Sequence, residues 1–346
     1  MRDIQIESIT IGTHHKPFII AEMSGNHNQS LDRALKIVEE AARFGAHAIK
    51  LQTYTPDTMT IKGAFTINDE SSLWKGRELY DLYQEAFTPW EWHKPIFDYA
   101  KSLGLIAFST PFDETAVDFL EDLQVNAYKI ASFENTDIPL LKKVAKTRKP
   151  IIISTGATNV SDIDEAVRTL RANGCTDLVL LKCTSTYPAT AKNTNLLTIP
   201  HMQQLFNCHV GLSDHTMGIG ASIAAVALGA RVIEKHFTLR RADGGVDSTF
   251  SIEPEELKGL VIESERAFEA LGIIQYGVQK AEEKNLLFKR SIYITKDVAA
   301  GELLTPENVR VVRPGDGLLP KYYDIVLGKR ISRDIKAGTP LSWEVL

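Results

Sequence analysis

Three cysteines in 346 residues, Cys175, Cys183 and Cys208, are an odd number without zinc-type spacing. They argue against a disulfide framework or a zinc ribbon and fit a reduced, cytoplasmic protein. No apolar run approaches the roughly 18 residues of a membrane span. The opening residues Met1-Arg-Asp-Ile-Gln-Ile-Glu lack the apolar core of a signal peptide. Positive charge is not in excess: the formal net charge is −5, which removes the electrostatic case for a nucleic-acid partner. No Gly-x-Gly-x-x-Gly follows the first apolar strand, so an open dinucleotide-binding sheet is the weaker of the two parallel α/β architectures.

What the chain does have is repetition. Short apolar runs begin near Pro17, Ala46, Leu105, Ala127, Pro150, Leu178, Val210 and Val232. Between them lie segments of helical periodicity, such as Leu31 to Phe44 and Val160 to Ala172. Strands apolar on both faces imply a parallel sheet covered by helices. Eight such units predict a closed (β/α)₈ TIM barrel, which needs about 250 residues. A short lead strand precedes it. A long polar insertion, Tyr54 to Gly76, follows the second strand, where insertions often cover an active site. The pattern changes after residue 275. The expected organisation is a barrel over 1–275, a polar linker over 276–288 and a small, mostly β domain over 289–346. In that last domain Asp297-Val-Ala-Ala-Gly-Glu-Leu-Leu weakly repeats as Asp334-Ile-Lys-Ala-Gly-Thr-Pro-Leu.

Polar residues cluster where barrel strands end, the edge on which such folds keep their chemistry. Among them are Glu22, Lys50, Gln52, Lys129, Ser132, Ser154, Ser185, Tyr187, Ser213, His215, Glu234 and His236. A lone serine there is most simply a helix cap. Lysines within buried strands are harder to dismiss, because a buried ammonium is costly unless paired or bound to an anion. Lys50 and Lys129 among hydroxyls suit a phosphate and a carboxylate. His215 and His236 are 21 residues apart, which is no metal signature by itself. They end two successive strands, however, and parallel neighbours lie about 4.8 Å apart. A divalent cation shared by the two, acting as a Lewis acid on an anionic substrate, is the chemistry these residues suit.

Several ordered motifs carry a family resemblance: Phe18-Ile-Ile-Ala-Glu with Asn26-His27, Lys50-Leu-Gln-Thr, Tyr128-Lys-Ile-Ala-Ser, Ser154-Thr-Gly, Cys183-Thr-Ser-Thr-Tyr-Pro, Gly211-Leu-Ser-Asp-His and Glu234-Lys-His-Phe-Thr. Together they resemble the sialic acid synthase family, whose members condense phosphoenolpyruvate with an acetamido sugar to give a nine-carbon 2-keto acid. The tail, with Phe288-Lys-Arg-Ser-Ile-Tyr and Val312-Arg-Pro-Gly-Asp-Gly, resembles that family's antifreeze-like (SAF) domain. Leu73-Trp-Lys-Gly-Arg-Glu-Leu-Tyr-Asp-Leu-Tyr and Thr88-Pro-Trp-Glu-Trp-His are most similar to its pseudaminic acid branch; the sialic and legionaminic acid branches are the alternatives. Ser185 stands where sialic acid synthases typically carry asparagine. The resemblance implies phosphoenolpyruvate on Lys50, Lys129, Ser132, Ser154, Ser185 and Ser213. It implies Mn²⁺, with Mg²⁺ or Co²⁺ as alternatives, on His215 and His236. Glu22 and Asp247 would handle protons or orient the sugar, beside Gln52 and Tyr187. It also implies a domain-swapped homodimer in which Arg313 reaches the partner's barrel mouth. The antifreeze-like tail raises a carbohydrate- or ice-binding protein as a rival, but ice binding has no use for buried lysines.

Overall fold

Eight strands without polar–apolar alternation can satisfy both faces only inside a covered sheet, and the computed structural model closes them on themselves. It describes residues 1–70, 72 and 74–346; Leu73, which heads one of the motifs above, lies outside the described residues. In chain order, strands β1 (Ile4–Ile6), β2 (Ile9–Ile11) and β3 (Phe18–Glu22) precede helix α1 (Leu31–Arg43). Then come β4 (Ala48–Thr53), α2 (Pro56–Met59), α3 (Leu79–Ala86), α4 (Trp90–Ser102), β5 (Ile106–Pro111), α5 (Glu114–Asp122), β6 (Tyr128–Ile130) and α6 (Ile138–Ala145). The barrel unit finishes with β7 (Ile151–Ser154), α7 (Val160–Ala172), β8 (Leu178–Cys183), α8 (Thr198–Phe206), β9 (His209–Ser213), α9 (Gly220–Ala227), β10 (Val232–His236) and α10 (Pro254–Leu271). Strands β3 to β10 pair in parallel, each with the next, and β10 returns beside β3, where Val232 faces Phe18 and His236 faces Glu22. This is the (β/α)₈ barrel.

The period-2 geometry of a strand sorts its residues. Ile19, Ile49, Ile153, Val210 and Ile233 face outward into a core shared with the helices. Phe18, Ile20, Ala48, Phe108, Ala127, Ile152, Val179 and Val232 face inward. The expected single lead strand is instead an antiparallel hairpin of β1 and β2. Its Ile4, Ile6 and Ile11 join the inward cluster at the strand starts and seal the barrel floor. Burial of each is worth about 2 kcal/mol. On β9, Gly211 is required by close approach: a Cβ there would lie 2.2 Å from the Val232 carbonyl oxygen.

The chain divides into two compact units, Met1–Gly272 and Ile273–Leu346. The second begins with an exposed stretch containing a 3₁₀ run, Lys280–Phe288, where a linker was expected. Antiparallel strands β11 (Ser291–Ile294) and β12 (Val309–Val312) follow, then the short helix α11 (Tyr323–Val326). The weak repeat has a structural basis. Val298 bridges Ile335, Asp297 accepts from the Ala337 N–H at 2.9 Å, and Asp334 accepts from the Ala300 N–H at 2.8 Å. Each copy's aspartate thus caps the other copy's turn. No helix among the described residues is long and apolar enough to cross a membrane.

Candidate active site

Above the apolar layers the inward positions turn polar. Glu22 follows Ile20, Lys50 follows Ala48, Lys129 follows Ala127, Ser154 follows Ile152 and Glu234 follows Val232, each two residues further along its strand. All five are buried. Lys50 Nζ donates to Thr110 Oγ1 at 3.0 Å and stands 2.6 Å from Glu22 Oε2, an ion pair without hydrogen-bond alignment. Lys129 Nζ donates to Ser154 Oγ at 2.7 Å and to the Ile130 carbonyl at 3.0 Å. Glu234 Oε1 lies between the lysines, 3.8 Å from Lys50 Nζ and 3.7 Å from Lys129 Nζ, with the Ser213 hydroxyl at 3.4 Å.

Burial penalises every charge in this layer, and the neighbours decide which survive. Burial pushes Glu22 up to about 7 despite the opposing Lys50. For Glu234, Lys129 and Lys50 outweigh burial and hold the carboxyl below its usual range. Lys129 is lowered by burial. Lys50 is raised, because Glu22 and Glu234 overcome burial. Such opposed shifts on neighbouring carboxyls mark acid–base sites.

Beside the lysines, Ser132 and Ser185 converge on Gly156, whose N–H donates to Ser132 Oγ at 3.1 Å. A Cβ on Gly156 would sit 2.1 Å from Ser185 Oγ and 2.7 Å from Ser132 Oγ. Any other residue would fill this hydroxyl-lined cradle.

The histidines end β10 and follow β9. Their rings face each other at 5.3 Å between centroids and share Phe250 as a wall, with Tyr187 packed on His215 at 4.6 Å. His215 Nδ1–H donates to the Thr184 carbonyl at 3.1 Å, which leaves Nε2 free of that bond, and the Cys183 thiol, despite burial, holds the imidazole above its usual value. Burial drives His236 well below its usual value, which favours the neutral imidazole. Its Nδ1 is buried without a hydrogen-bond partner, and the Asp247 carboxylate stands 3.6 Å away. Asp247 in turn accepts from the Ser24 hydroxyl. Among the described residues no cage of three or more His, Cys, Asp or Glu side chains is formed. Two imidazoles beside a carboxylate fit a divalent ion that keeps open positions.

Over this layer opens a cavity of about 400 Å³ lined by Gln52, His236, Asp247, Tyr187 and Glu134, with aromatic and aliphatic side chains opposite. Lys50, Lys129 and Ser154 do not line it. Gln52 and His236, one rung further along their strands than Lys50 and Glu234, do. A larger space of about 740 Å³ runs along α7 and α8 and contains neither these lysines nor the histidines.

A model of the NeuB family matches residues 37–276, and one of the SAF domain matches residues 289–346. The chain belongs to the NeuB family. It is 46% identical to a pseudaminic acid synthase of Campylobacter jejuni over 95% of this chain and 96% of that one. It is 42% identical to a pseudaminic acid synthase of Helicobacter pylori over 94% of this chain and 96% of that protein. Among solved structures, the N-acetylneuraminic acid synthetase of Leptospira borgpetersenii in complex with citrate matches with a TM-score of 0.75 and 32% identity, over 82% of this chain and 95% of that one.

In this NeuB-family barrel Glu22, Lys50, Gln52, Lys129, Ser132, Ser154, Ser185, Tyr187, Ser213, His215, His236 and Asp247 all lie at the carboxyl ends of the strands or in the loops that follow. Arg313 is exposed just after β12 in the second unit. There Ser291 Oγ donates to the Pro314 carbonyl at 2.7 Å and accepts from the Gly317 N–H at 2.9 Å, pinning the turn. Of the aromatics in the insertion and the helices after it, Trp74 and Tyr83 line the cavity. Tyr80 instead donates to Asp57, and Trp90 packs on Phe119 at 4.7 Å.

Sequence reasoning missed Glu134 and Lys235, and the bridging place of Glu234. Glu134, in the 3₁₀ turn after β6, is pushed by burial up to about 7, and its Oε2 has no partner. Glu234 stood among the strand-end residues, but only register shows that it bridges both lysines. Lys235, facing outward, pairs with Asp214 at 3.0 Å and donates to the Thr216 carbonyl at 2.7 Å. Asp214 also accepts from Ser222 Oγ and the Thr216 N–H, so this buried cluster clamps the turn that carries His215.

Proposed function

We propose that this protein is a pseudaminic acid synthase, condensing phosphoenolpyruvate with 2,4-diacetamido-2,4,6-trideoxy-altrose to a nine-carbon 2-keto sugar acid and phosphate. The observation that carries the reading is the buried pair Lys50 and Lys129 beneath a sugar-sized cavity. Two ammonium groups beside the Ser132, Ser154, Ser185 and Ser213 hydroxyls match a substrate bearing both carboxylate and phosphate. The likeness to the two pseudaminic acid synthases supports the choice of branch.

His215 and His236 would hold Mn²⁺, or Mg²⁺ or Co²⁺, beside Asp247. When bound, such an ion supplies Lewis-acid polarisation of the sugar aldehyde. The chain's own residues do the rest. Lys50 and Lys129 bind and orient the trianion, so that its methylene carbon faces the aldehyde. That carbon attacks, a C–C bond forms, and positive charge develops at the carbon bearing phosphate, where the Glu234 carboxylate stabilises it. The new alkoxide takes a proton from Glu22, whose raised value keeps a proton available near neutral pH. Water adds to the charged carbon and loses one proton to Glu22; the hydroxyl so formed becomes the keto group as phosphate leaves with the C–O bonding pair and takes the hydroxyl proton. Asp247, Gln52 and Tyr187 position the sugar. Arg313 of a second copy completes the mouth in a domain-swapped homodimer.

The test is phosphate release from phosphoenolpyruvate with a panel of acetamido sugars and Mn²⁺, with products identified by mass spectrometry. Release that needs both the diacetamido altrose and the metal is expected. Faster turnover of N-acetylmannosamine or of the manno-configured diacetamido sugar assigns the protein to a sister branch.

A further inference from the structure

The space of about 740 Å³ along α7 and α8 backs onto the proposed phosphate cradle, because Cys183, Thr184 and Ser185 line it. Its volume falls in the range of small-molecule sites. Lys182 lines it too. On β8, Val179 and Leu181 face into the barrel and Leu178 and Leu180 face the helices. Lys182, two residues beyond Leu180, therefore points into the helix layer, away from Lys50 and Lys129. Ile163 of α7 and Met202 and Phe206 of α8 line the same space, with His201 and Leu205 at its exposed rim. Lys182 is half-buried there without a counter-ion. Its Nζ donates to the Cys183 carbonyl at 2.7 Å and to Thr184 Oγ1 at 3.1 Å, both neutral acceptors. Among the described residues no carboxylate pairs with it, and burial lowers the ammonium with only the Cys183 thiol opposing. The cavity's one carboxylate, Asp162, is engaged at the start of α7, where it accepts from the Asn159 N–H at 3.1 Å. An ammonium carries three protons, so one remains for a ligand.

We propose that this cavity is a second ligand site, for a small carboxylate with an apolar body, coupled to the phosphate cradle through the end of β8. The carboxylate takes the remaining Lys182 proton and supplies the counter-ion that a half-buried ammonium lacks. The body covers Ile163, Met202 and Phe206. The coupling runs through the backbone that Lys182 holds. Just past the Cys183 carbonyl, the Thr184 carbonyl accepts from His215 at 3.1 Å, and Ser185 stands over Gly156. An anion that keeps Lys182 charged and in place steadies this strand end, so its binding and that of phosphoenolpyruvate favour each other. The coupling rests on the role given to Ser185 above; the site itself does not.

The full-length protein is titrated with 3-phenylpropionate and with its neutral amide, followed by saturation-transfer NMR. The acid is expected to bind with a Kd on the order of 1 mM, as suits so small a ligand. The amide should bind about 10-fold more weakly, the worth of a charge-assisted hydrogen bond. Lys182→Met keeps the length of the side chain and should weaken the acid by about 10-fold while leaving the amide unmoved. Leu205→Glu changes only the exposed rim and should weaken the acid by about 3-fold through like charge. Calorimetry then measures phosphoenolpyruvate: saturating acid should lower its Kd by about 5-fold in the wild type and not in Lys182→Met. No binding of the acid, or binding that neither variant changes, overturns the site. A phosphoenolpyruvate Kd that rises with the acid also overturns it, because the two then compete for the barrel lysines. An unchanged Kd overturns the coupling. Failure of phosphoenolpyruvate to bind at all overturns the function proposed above, whereas the NMR titration decides the site either way.

Discussion

Replacing Glu234 by glutamine should weaken the empty protein and tighten its hold on phosphoenolpyruvate. The layer beneath the mouth holds two carboxylates and two ammonium groups, and Glu234 serves both lysines at 3.8 and 3.7 Å. At such separations a charge pair is worth about 4 kcal/mol at an effective dielectric of 20. Part of that only repays desolvation, and breaking a buried pair from one side typically costs about 3–5 kcal/mol. Glutamine keeps the shape and a hydrogen-bonding oxygen, so the lower end, about 3 kcal/mol, is the expectation. For a domain of this size that lowers the melting temperature by roughly 6–12 °C. Phosphoenolpyruvate brings its own negative charge to the same lysines. The stabilisation it gives should therefore be larger in Glu234→Gln than in the wild type, with a lower phosphoenolpyruvate KM and a lower kcat. Thermal melting with and without phosphoenolpyruvate measures this. A variant that melts like the wild type, or gains less from the ligand, would refute the view that Glu234 holds the anion site's charge in balance.

His215→Ala and His236→Ala should each lose most Mn²⁺ binding, read by the free-ion electron paramagnetic resonance signal, and most activity while melting cooperatively; near-normal turnover after chelation and Mn²⁺ readdition would dismiss the two-histidine site. Arg313→Ala should raise the sugar KM more than that of phosphoenolpyruvate, and a verified heterodimer with Lys129→Ala should regain activity, because one mouth then combines an intact barrel with an intact arginine; no gain would mean that Arg313 does not act across subunits. Glu22 is raised from 4.5 to about 7 in the folded chain. A carboxyl raised on folding favours the native state at low pH, so its contribution declines as pH rises from 4.5 to 7 and is absent above. The loss is at most about 3 kcal/mol. Urea midpoints measured across that window should fall in the wild type and fall by less in Glu22→Gln, where Glu134 still contributes; a parallel fall in the variant would exonerate Glu22.

The barrel was legible because parallel strands buried on both faces leave a distinctive record of apolar runs ending in polar residues. The floor hairpin was not. Its strands are three residues each, too short for a period, and the turn places Glu7 at φ +49 without glycine or asparagine to announce it. Lys50 and Lys129 attracted attention because an ammonium in an apolar run is costly. Their common partner Glu234 required the closed barrel, since β4, β6 and β10 are far apart in sequence. Glu134 sits in a short turn where no periodicity distinguishes a buried carboxylate from a solvated one. Lys235 was hidden by its neighbours: a single residue's offset sends it outward to Asp214 while Glu234 and His236 face inward.

The isoleucine hairpin closes the barrel at the strand starts, so the proposed site is approached from the strand ends. The lysine layer lies a rung below Gln52 and His236, so a sugar seated in the cavity stands between the lysines and the way in. With the substrates seated as proposed, the order of traffic would be last in, first out. Phosphoenolpyruvate should then arrive before the sugar, and a sugar present in excess should trap it, slowing its escape in isotope-trapping experiments. Phosphate, formed beneath the nine-carbon acid, should leave after it.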